Sequence, residues 1–270
     1  MGCAERRGWD DESGIPDENA IFQPKLPNCP QMKIHTDIEQ GSLEWSVMRA
    51  GRVTASGIDN LITPLGKPKE GDAVKTYMLE LLAENWIGGP LPAVQGVWDL
   101  DQGNYLERYA RPAFTLETGL ETSQVSFIEG DDTRTGASPD GLLVGKEIGL
   151  ELKCPHVEKH IRYLIDGCVP KQYMPQVQFS MYVTGYSQWY FASYRMKFPM
   201  LVMLVERDDK WQKSIGEALH DFFEAYDGAW KRLVAINGAP PPPRQQFRRY
   251  DKLDDPRFDP KPENFDMPIP

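Results

Sequence analysis

The spacing of apolar positions along the chain changes period partway through, and that change divides it. Leu43–Met48 and Ala55–Ile62 carry apolar residues at helical spacing, with Thr54 or Ser56 placed to cap the second. Asp72–Trp86 has the pattern of a longer amphipathic helix, and Gln102–Glu117 that of another, interrupted at Pro112. The period then drops to two. Ser123–Ile128, Gly141–Val144 and Ile148–Leu152 alternate as strands do. A helix is predicted over Gln172–Thr184. Gln188–Tyr194 and Leu201–Val205, rich in aromatic and β-branched residues, are predicted as central strands. Asp209–Ile236 closes the pattern as one long amphipathic helix with acids in its first turn. Together these elements predict an α/β (α+β) fold, a central mixed β-sheet flanked by helices.

The ends lack this periodicity. Residues 1–33, rich in Gly, Pro, Asp and Glu, read as a flexible arm, and 239–270 open on Ala239-Pro240-Pro241-Pro242-Pro243 and read as an extended, proline-rich acidic tail. The folded domain is therefore placed at 34–238. At 270 residues, 40% hydrophobic and 26% charged, the chain is long enough for one sizeable core. No apolar run approaches the ~20 residues that span a bilayer, and no signal-peptide core opens the chain, so a cytoplasmic protein with no membrane partner is expected. Cys3, Cys29, Cys154 and Cys168 form no C-x-x-C pair, which argues for reduced thiols over a zinc ribbon or an iron–sulfur cluster. Taken alone, the net charge of −10 argues against a nucleic-acid partner. Residues 1–30 and 250–270 each hold six acids and three bases, however, so the ends supply −6 of it. A local basic groove is compatible with the −4 that remains.

The chemistry concentrates in Ser138-Pro139-Asp140-Gly141 and Gly149-Leu150-Glu151-Leu152-Lys153. On a strand, Glu151 and Lys153 share one face while Leu150 and Leu152 turn to the other, into the core. Phosphodiester hydrolysis needs a water activated near neutral pH and relief of phosphate charge. Hard divalent cations held by carboxylate oxygens supply both. Asp140 and Glu151 are candidate ligands, with the Leu152 backbone carbonyl as a third, and the Pro139–Gly141 turn aims Asp140 at the same point. Lys153 is the candidate to orient or deprotonate the attacking water and to offset phosphate charge. A surface ion pair on an edge strand would show the same acid-x-Lys triplet. Cys154 has the alternatives of nucleophile and packing thiol, with packing favoured. His156 and His160, four residues apart, are a candidate transition-metal pair, but contact with the DNA backbone or with solvent is favoured.

The run SPDGLLVGKEIGLELKCP, then YMPQVQFSMYVTGYSQWYFASY and LVMLVERDDKW, with EWSVMRAGRVTAS and GNYLERYAR upstream, resembles phage lambda exonuclease and the YqaJ-type viral recombinases over roughly residues 36–235. The resemblance implies a restriction-endonuclease-like core of the PD-(D/E)xK superfamily. It implies a 5′-to-3′ exonuclease that degrades one strand of duplex DNA from its end and leaves a 3′ single-stranded overhang for recombination. Magnesium is implied as cofactor, two ions with Mn2+ able to substitute. So are a homotrimeric ring, a single-strand annealing protein as partner, and a phage or prophage origin in a bacterial host. Carried over by position, Asp140, Glu151 and Lys153 match the catalytic trio, Glu107 an acid beside the metal, and Gln176 an active-site glutamine. Arg49, Ser56 and Ser138 match the pocket for the terminal 5′ phosphate, for which a guanidinium and hydroxyls are suited donors. Gln176 and Gln178 lie about 200° apart on a helix, so only one can face the site. Two other functions remain open: a structure- or sequence-specific endonuclease on the same core, and a non-catalytic DNA-end-binding scaffold.

Overall fold

The computed structural model describes residues 32–92 and 98–240, with side chains placed outside 98–105. The N-terminal arm and the proline-rich tail, apart from their inner edges, lie outside the described residues. In chain order the elements are β1 (Lys33–His35), α1 (Leu43–Arg49), β2 (Val53–Thr54), α2 (Asp72–Ile87), α3 (Trp98–Thr118), β3 (Thr122–Ser123), β4 (Phe127–Glu129) and β5 (Thr135–Ala137). They continue with β6 (Gly141–Leu143), β7 (Ile148–Lys153), α4 (Val157–Asp166), α5 (Met174–Thr184), β8 (Gln188–Ser193), β9 (Leu201–Glu206) and α6 (Asp209–Asn237).

The predicted mixed sheet flanked by helices is present. It has five strands in the order β3-β6-β7-β8-β9, all antiparallel except the parallel pair β7–β8. A parallel pair needs a crossover, and α4 with α5 supplies it. A second sheet, β1-β4-β5-β2, was not anticipated, because its strands are only two or three residues long. Ser123–Ile128, predicted as one strand, is split between the two sheets as β3 and β4, and the Ser126 amide donates to the His35 carbonyl at the corner.

The helix predicted over Ala55–Ile62 is absent. Val53 N–H donates to the Arg134 carbonyl and Ala55 N–H to that of Gly136, so parallel pairing of β2 with β5 holds the start of this segment extended. A single 3-10 turn, Ile58–Asn60, follows it, and Gly57 rather than Thr54 or Ser56 stands at its cap. Pro112 does not interrupt α3. Ala110 and Phe114, both fully buried, flank it and pin the helix to the sheet. Where prediction and structure agree, local chemistry accounts for the boundary. Ser42 caps α1 by accepting from Trp45 N–H at 3.1 Å, Asp208 caps α6 through the amides of Lys210 and Trp211, and Pro175 sits in the first turn of α5.

Two cores result. The larger packs α5 and α6 against β8, around Trp189, Phe191, Phe179 and Ile215. The smaller packs Ala110 and Phe114 of α3 against Leu150 and Leu152 of β7. β7 therefore has a leucine face toward α3 and a second face toward α5, as its alternation predicts.

Candidate active site

The face of β7 turned to α5 carries Glu151, only 2% exposed, and the half-buried Lys153. Lys153 Nζ lies 2.5 Å from Glu151 Oε1, and Gln176 Nε2 of α5 donates to the same oxygen at 2.5 Å. This is a buried arrangement built into the sheet, not an exposed edge-strand ion pair. Asp140 joins through the backbone. Its amide donates to the Leu150 carbonyl at 3.0 Å, and its Oδ2 accepts from the Leu152 amide at 2.5 Å. Gln40 holds the preceding turn by donating to the Pro139 carbonyl at 3.0 Å.

Burial pushes Asp140 up to about 7, with the Glu107 carboxylate adding to the rise and Lys153 opposing it. Glu151 is also pushed up to about 7, by burial first and by Asp140, against the pull of Lys153 and the Gln176 hydrogen bond. Burial pulls Lys153 down, but Glu151 and Asp140 outweigh it, and the ammonium ends above its ordinary range. Glu107 therefore belongs to the same electrostatic neighbourhood, although its Oε1 is also held by Arg111 of its own helix at 3.1 Å. Among the described residues no three of His, Cys, Asp and Glu gather tightly enough to form a metal cage by themselves. Two adjacent carboxylates do fit a hard ion such as Mg2+, which is commonly held by one or two carboxylates and completed by water and phosphate oxygens.

Beside this centre Arg49 fans out from the end of α1. Its Nη1 donates to Ser138 Oγ at 3.0 Å and its Nη2 to Ser56 Oγ at 2.6 Å, with Thr54 Oγ1 at 3.4 Å. The three predicted phosphate-pocket residues are thus in direct contact. Burial lowers the Arg49 pKa, against the opposing effects of Tyr77, Glu84 and Glu151, but a guanidinium stays charged across the working pH range. Trp45 completes the pocket. Its ring lies under Arg49, with the guanidinium carbon 4.3 Å from the centroid, and its Nε1–H reaches Ser138 Oγ and the Ser126 carbonyl, each at 3.0 Å. Sequence reasoning passed over Trp45 and Thr54. The i,i+4 spacing of Trp45 and Arg49 on one helix face was the available signal.

The glutamine alternative resolves geometrically. Gln176 reaches Glu151, whereas Gln178 is buried and ties the Glu206 carbonyl to the Asp208 amide at the start of α6. The histidine pair is corrected. His160 is fully buried, with Nδ1 2.8 Å from Ser193 Oγ and Nε2 3.0 Å from the Pro199 carbonyl. A carbonyl only accepts, so Nε2 carries the proton and Ser193 donates to Nδ1. Both nitrogens are occupied, and neither a metal nor DNA can use this ring. Cys154 packs against the smaller core, and burial with Glu107 and Asp140 nearby pushes its thiol up to about 12, which rules out a ready thiolate.

Residues 44–187, more than half of the chain, match the YqaJ-like viral recombinase domain. The chain belongs to that family. ExoD of Escherichia coli (strain K12) is 42% identical over 73 residues, which cover 26% of this chain and 84% of that relative. The alkaline exonuclease LHK-Exo from Laribacter hongkongensis superposes with a TM-score of 0.64 at 27% identity, covering 72% of this chain and 97% of that one. Its structure in complex with dAMP superposes with a TM-score of 0.65 at 28% identity, over the same shares of the two chains. A phage-related exonuclease from Haemophilus somnus 129PT, at 16% identity and a TM-score of 0.54, covering 67% of this chain and 96% of that one, shares the fold. The nuclease fold of this family is therefore the fold of this chain. No helix among the described residues is long and apolar enough to cross a membrane.

Proposed function

We propose that this protein is a divalent-cation-dependent exonuclease that degrades the 5′-ended strand of duplex DNA and leaves a 3′ overhang for recombination. One observation carries it. The Arg49–Ser56–Ser138 pocket and the Asp140–Glu151–Lys153 centre are joined by the segment Ser138-Pro139-Asp140. Two residues of chain span at most about 7 Å, the scale of a single nucleotide step. A strand whose terminal phosphate is gripped by Arg49 would present its next phosphodiester to Asp140 and Glu151. That geometry favours a cut counted from an end over a cut within a sequence. The relatedness to the alkaline exonuclease LHK-Exo points the same way.

Asp140, Glu151 and the Leu152 carbonyl, with Glu107 behind them, would hold the Mg2+ ions, two in number, with Mn2+ able to substitute. Bound there, the ions supply charge relief and water activation at the phosphate. Lys153, held charged by Glu151 and Asp140, acts as a fixed cation facing the developing phosphate charge. Gln176 holds Glu151 in one rotamer and can orient a water beside it. Arg49, Ser56 and Ser138 fix the end and so the register. A homotrimeric ring, a single-strand annealing partner and a phage or prophage source complete the reading by family.

Digestion of linear duplex labelled separately at its 5′ and 3′ ends, with and without Mg2+, tests it. The 5′ label is expected to leave first, as a mononucleotide and only with the ion. Release from the 3′ end, or none with Mg2+ present, would sink the proposal.

A further inference from the structure

Residues 153–200 hold six bases and two acids, a balance of +4 inside a chain of −10. The fold brings the stretches after Lys153 and Ser193 together at the C-terminal ends of β7 and β8, beside Lys153 of the candidate active site. The Tyr194 amide donates to the Lys153 carbonyl at 2.9 Å, and Arg195 reaches the Pro155 carbonyl at 3.4 Å. His160 locks α4 onto the β8–β9 turn through Ser193 and Pro199, and Phe198 meets its ring edge-on at 6.0 Å. Tyr173, in the 3-10 turn Lys171–Tyr173, stacks on Phe191 and lies beside Lys153, whose Nζ is 5.4 Å from the ring centroid. Tyr163 of α4 packs edge-on against Tyr173 at 6.3 Å. α4, the 3-10 turn and the β8–β9 turn are thus one braced body around Lys153.

The exposed charge on this body is mainly basic. Lys159, Arg162, Lys171 and Lys197 are exposed and form no ion pair among the described residues, while the acids Glu158 and Asp166 offset only part of their charge. The turn has a second unusual property. Lys197 adopts φ 72°, a left-handed conformation that strains a residue other than glycine, and Met196 and Phe198 on either side of it are 44% and 37% exposed. A braced, strained turn presenting Met196 and Phe198 next to Arg195 and Lys197 suits the backbone and groove edge of a nucleic acid better than open water.

We propose that this face, formed by α4, the Lys171 turn and the β8–β9 turn, is an electrostatic contact surface for the sugar-phosphate backbone of the duplex not yet digested. It rests on the nuclease reading above and extends it. The arrangement also resolves the sign problem of an acidic protein acting on DNA. A chain of contacts runs from Arg49 through Ser138, Asp140, Leu152 and Lys153 to Tyr194 and Arg195. Terminal phosphate, scissile phosphate and downstream backbone would follow it in that order. The +4 of this segment stands against −14 over the rest of the chain, so DNA is drawn to this face in preference to the acidic remainder.

The test measures binding of the full-length protein to blunt linear duplex, with Ca2+ in place of Mg2+ to suppress cleavage, across a range of salt concentrations. The triple variant Lys159→Gln, Arg162→Gln, Lys171→Gln is compared with a charge-matched control, Lys210→Gln, Lys213→Gln, Lys231→Gln on α6. The α4-side variant is expected to lose salt dependence, by about 0.9 in the log–log slope for each phosphate contact removed, while the control keeps the wild-type slope. The maximal rate with Mg2+ at saturating DNA should be unchanged in the α6 control. Equal slopes for the two variants would overturn this surface and leave the nuclease reading standing, provided the wild type still cleaves. A wild type that neither binds nor cleaves duplex overturns both.

Discussion

Asp140 and Glu151 are buried carboxylates, and burial first, with Glu107 adding to it at Asp140 and Asp140 adding to it at Glu151, pushes each up to about 7. In the cation-free protein this penalises folding at alkaline pH. A folded carboxylate pKa above its unfolded value means the folded state binds the extra proton. The resulting stability is fully present below the unfolded value, near 4, and is lost as pH rises through about 7. Asp140→Asn removes one charge yet keeps an oxygen for the Leu152 amide. In EDTA the variant should be more stable than wild type at pH 8, by on the order of 2 kcal/mol, and its melting temperature should vary less between pH 5 and 8. Mg2+ should raise the melting temperature of wild type more than that of the variant, since only an ion bound to the folded state stabilises it. Identical pH profiles for the two proteins would show that this charge is not under strain.

At the scale of elements, the site depends on how closely β7 and β8 approach. Gly149 pairs with Trp189 across the parallel ladder, and a Cβ at position 149 would lie 2.3 Å from the Trp189 ring. Trp189 is fully buried and has little freedom to withdraw. Gly149→Ala is therefore expected to destabilise the fold by about 1–3 kcal/mol, as overpacking does, and to lower turnover, because residues 149, 151 and 153 share one strand face. Denaturant titration and initial rates read the two effects; an unchanged midpoint would mean that the tryptophan relaxes freely. β7 itself was legible in the sequence because its alternation is local and strict: two leucines to one side, Glu151 and Lys153 to the other. β2 was not, since Val53 and Thr54 are extended only through pairing with β5, some eighty residues away. Ser123–Ile128 failed for a related reason. A period of two does not say that the chain changes sheets midway. His160 misled because spacing alone cannot show which face of α4 turns inward.

For the molecule as a whole, the proposed function predicts that activity starts at DNA ends. Arg49 is held by Trp45, Ser138 and Ser56 in a fork that suits a terminal phosphate dianion, with more charge and more free oxygens than a phosphodiester within a strand offers. Covalently closed circular duplex has no such group and should survive incubation with Mg2+ that consumes the linearised form, whereas rapid nicking of the circle would favour the endonuclease alternative. Among linear substrates, a 5′-phosphorylated end should be degraded faster than a 5′-hydroxyl end. Arg49→Ala removes the guanidinium but leaves Asp140, Glu151 and Lys153 in place. It should slow digestion of the phosphorylated end by roughly ten- to a hundredfold, as expected for losing a charge-assisted contact of about 1.5–3 kcal/mol, and leave the hydroxyl end nearly unaffected. The two rates should then converge. If Arg49→Ala slowed both ends equally and the ratio held, Arg49 would be supporting the fold or the hydrolytic centre, and the phosphate would be read elsewhere.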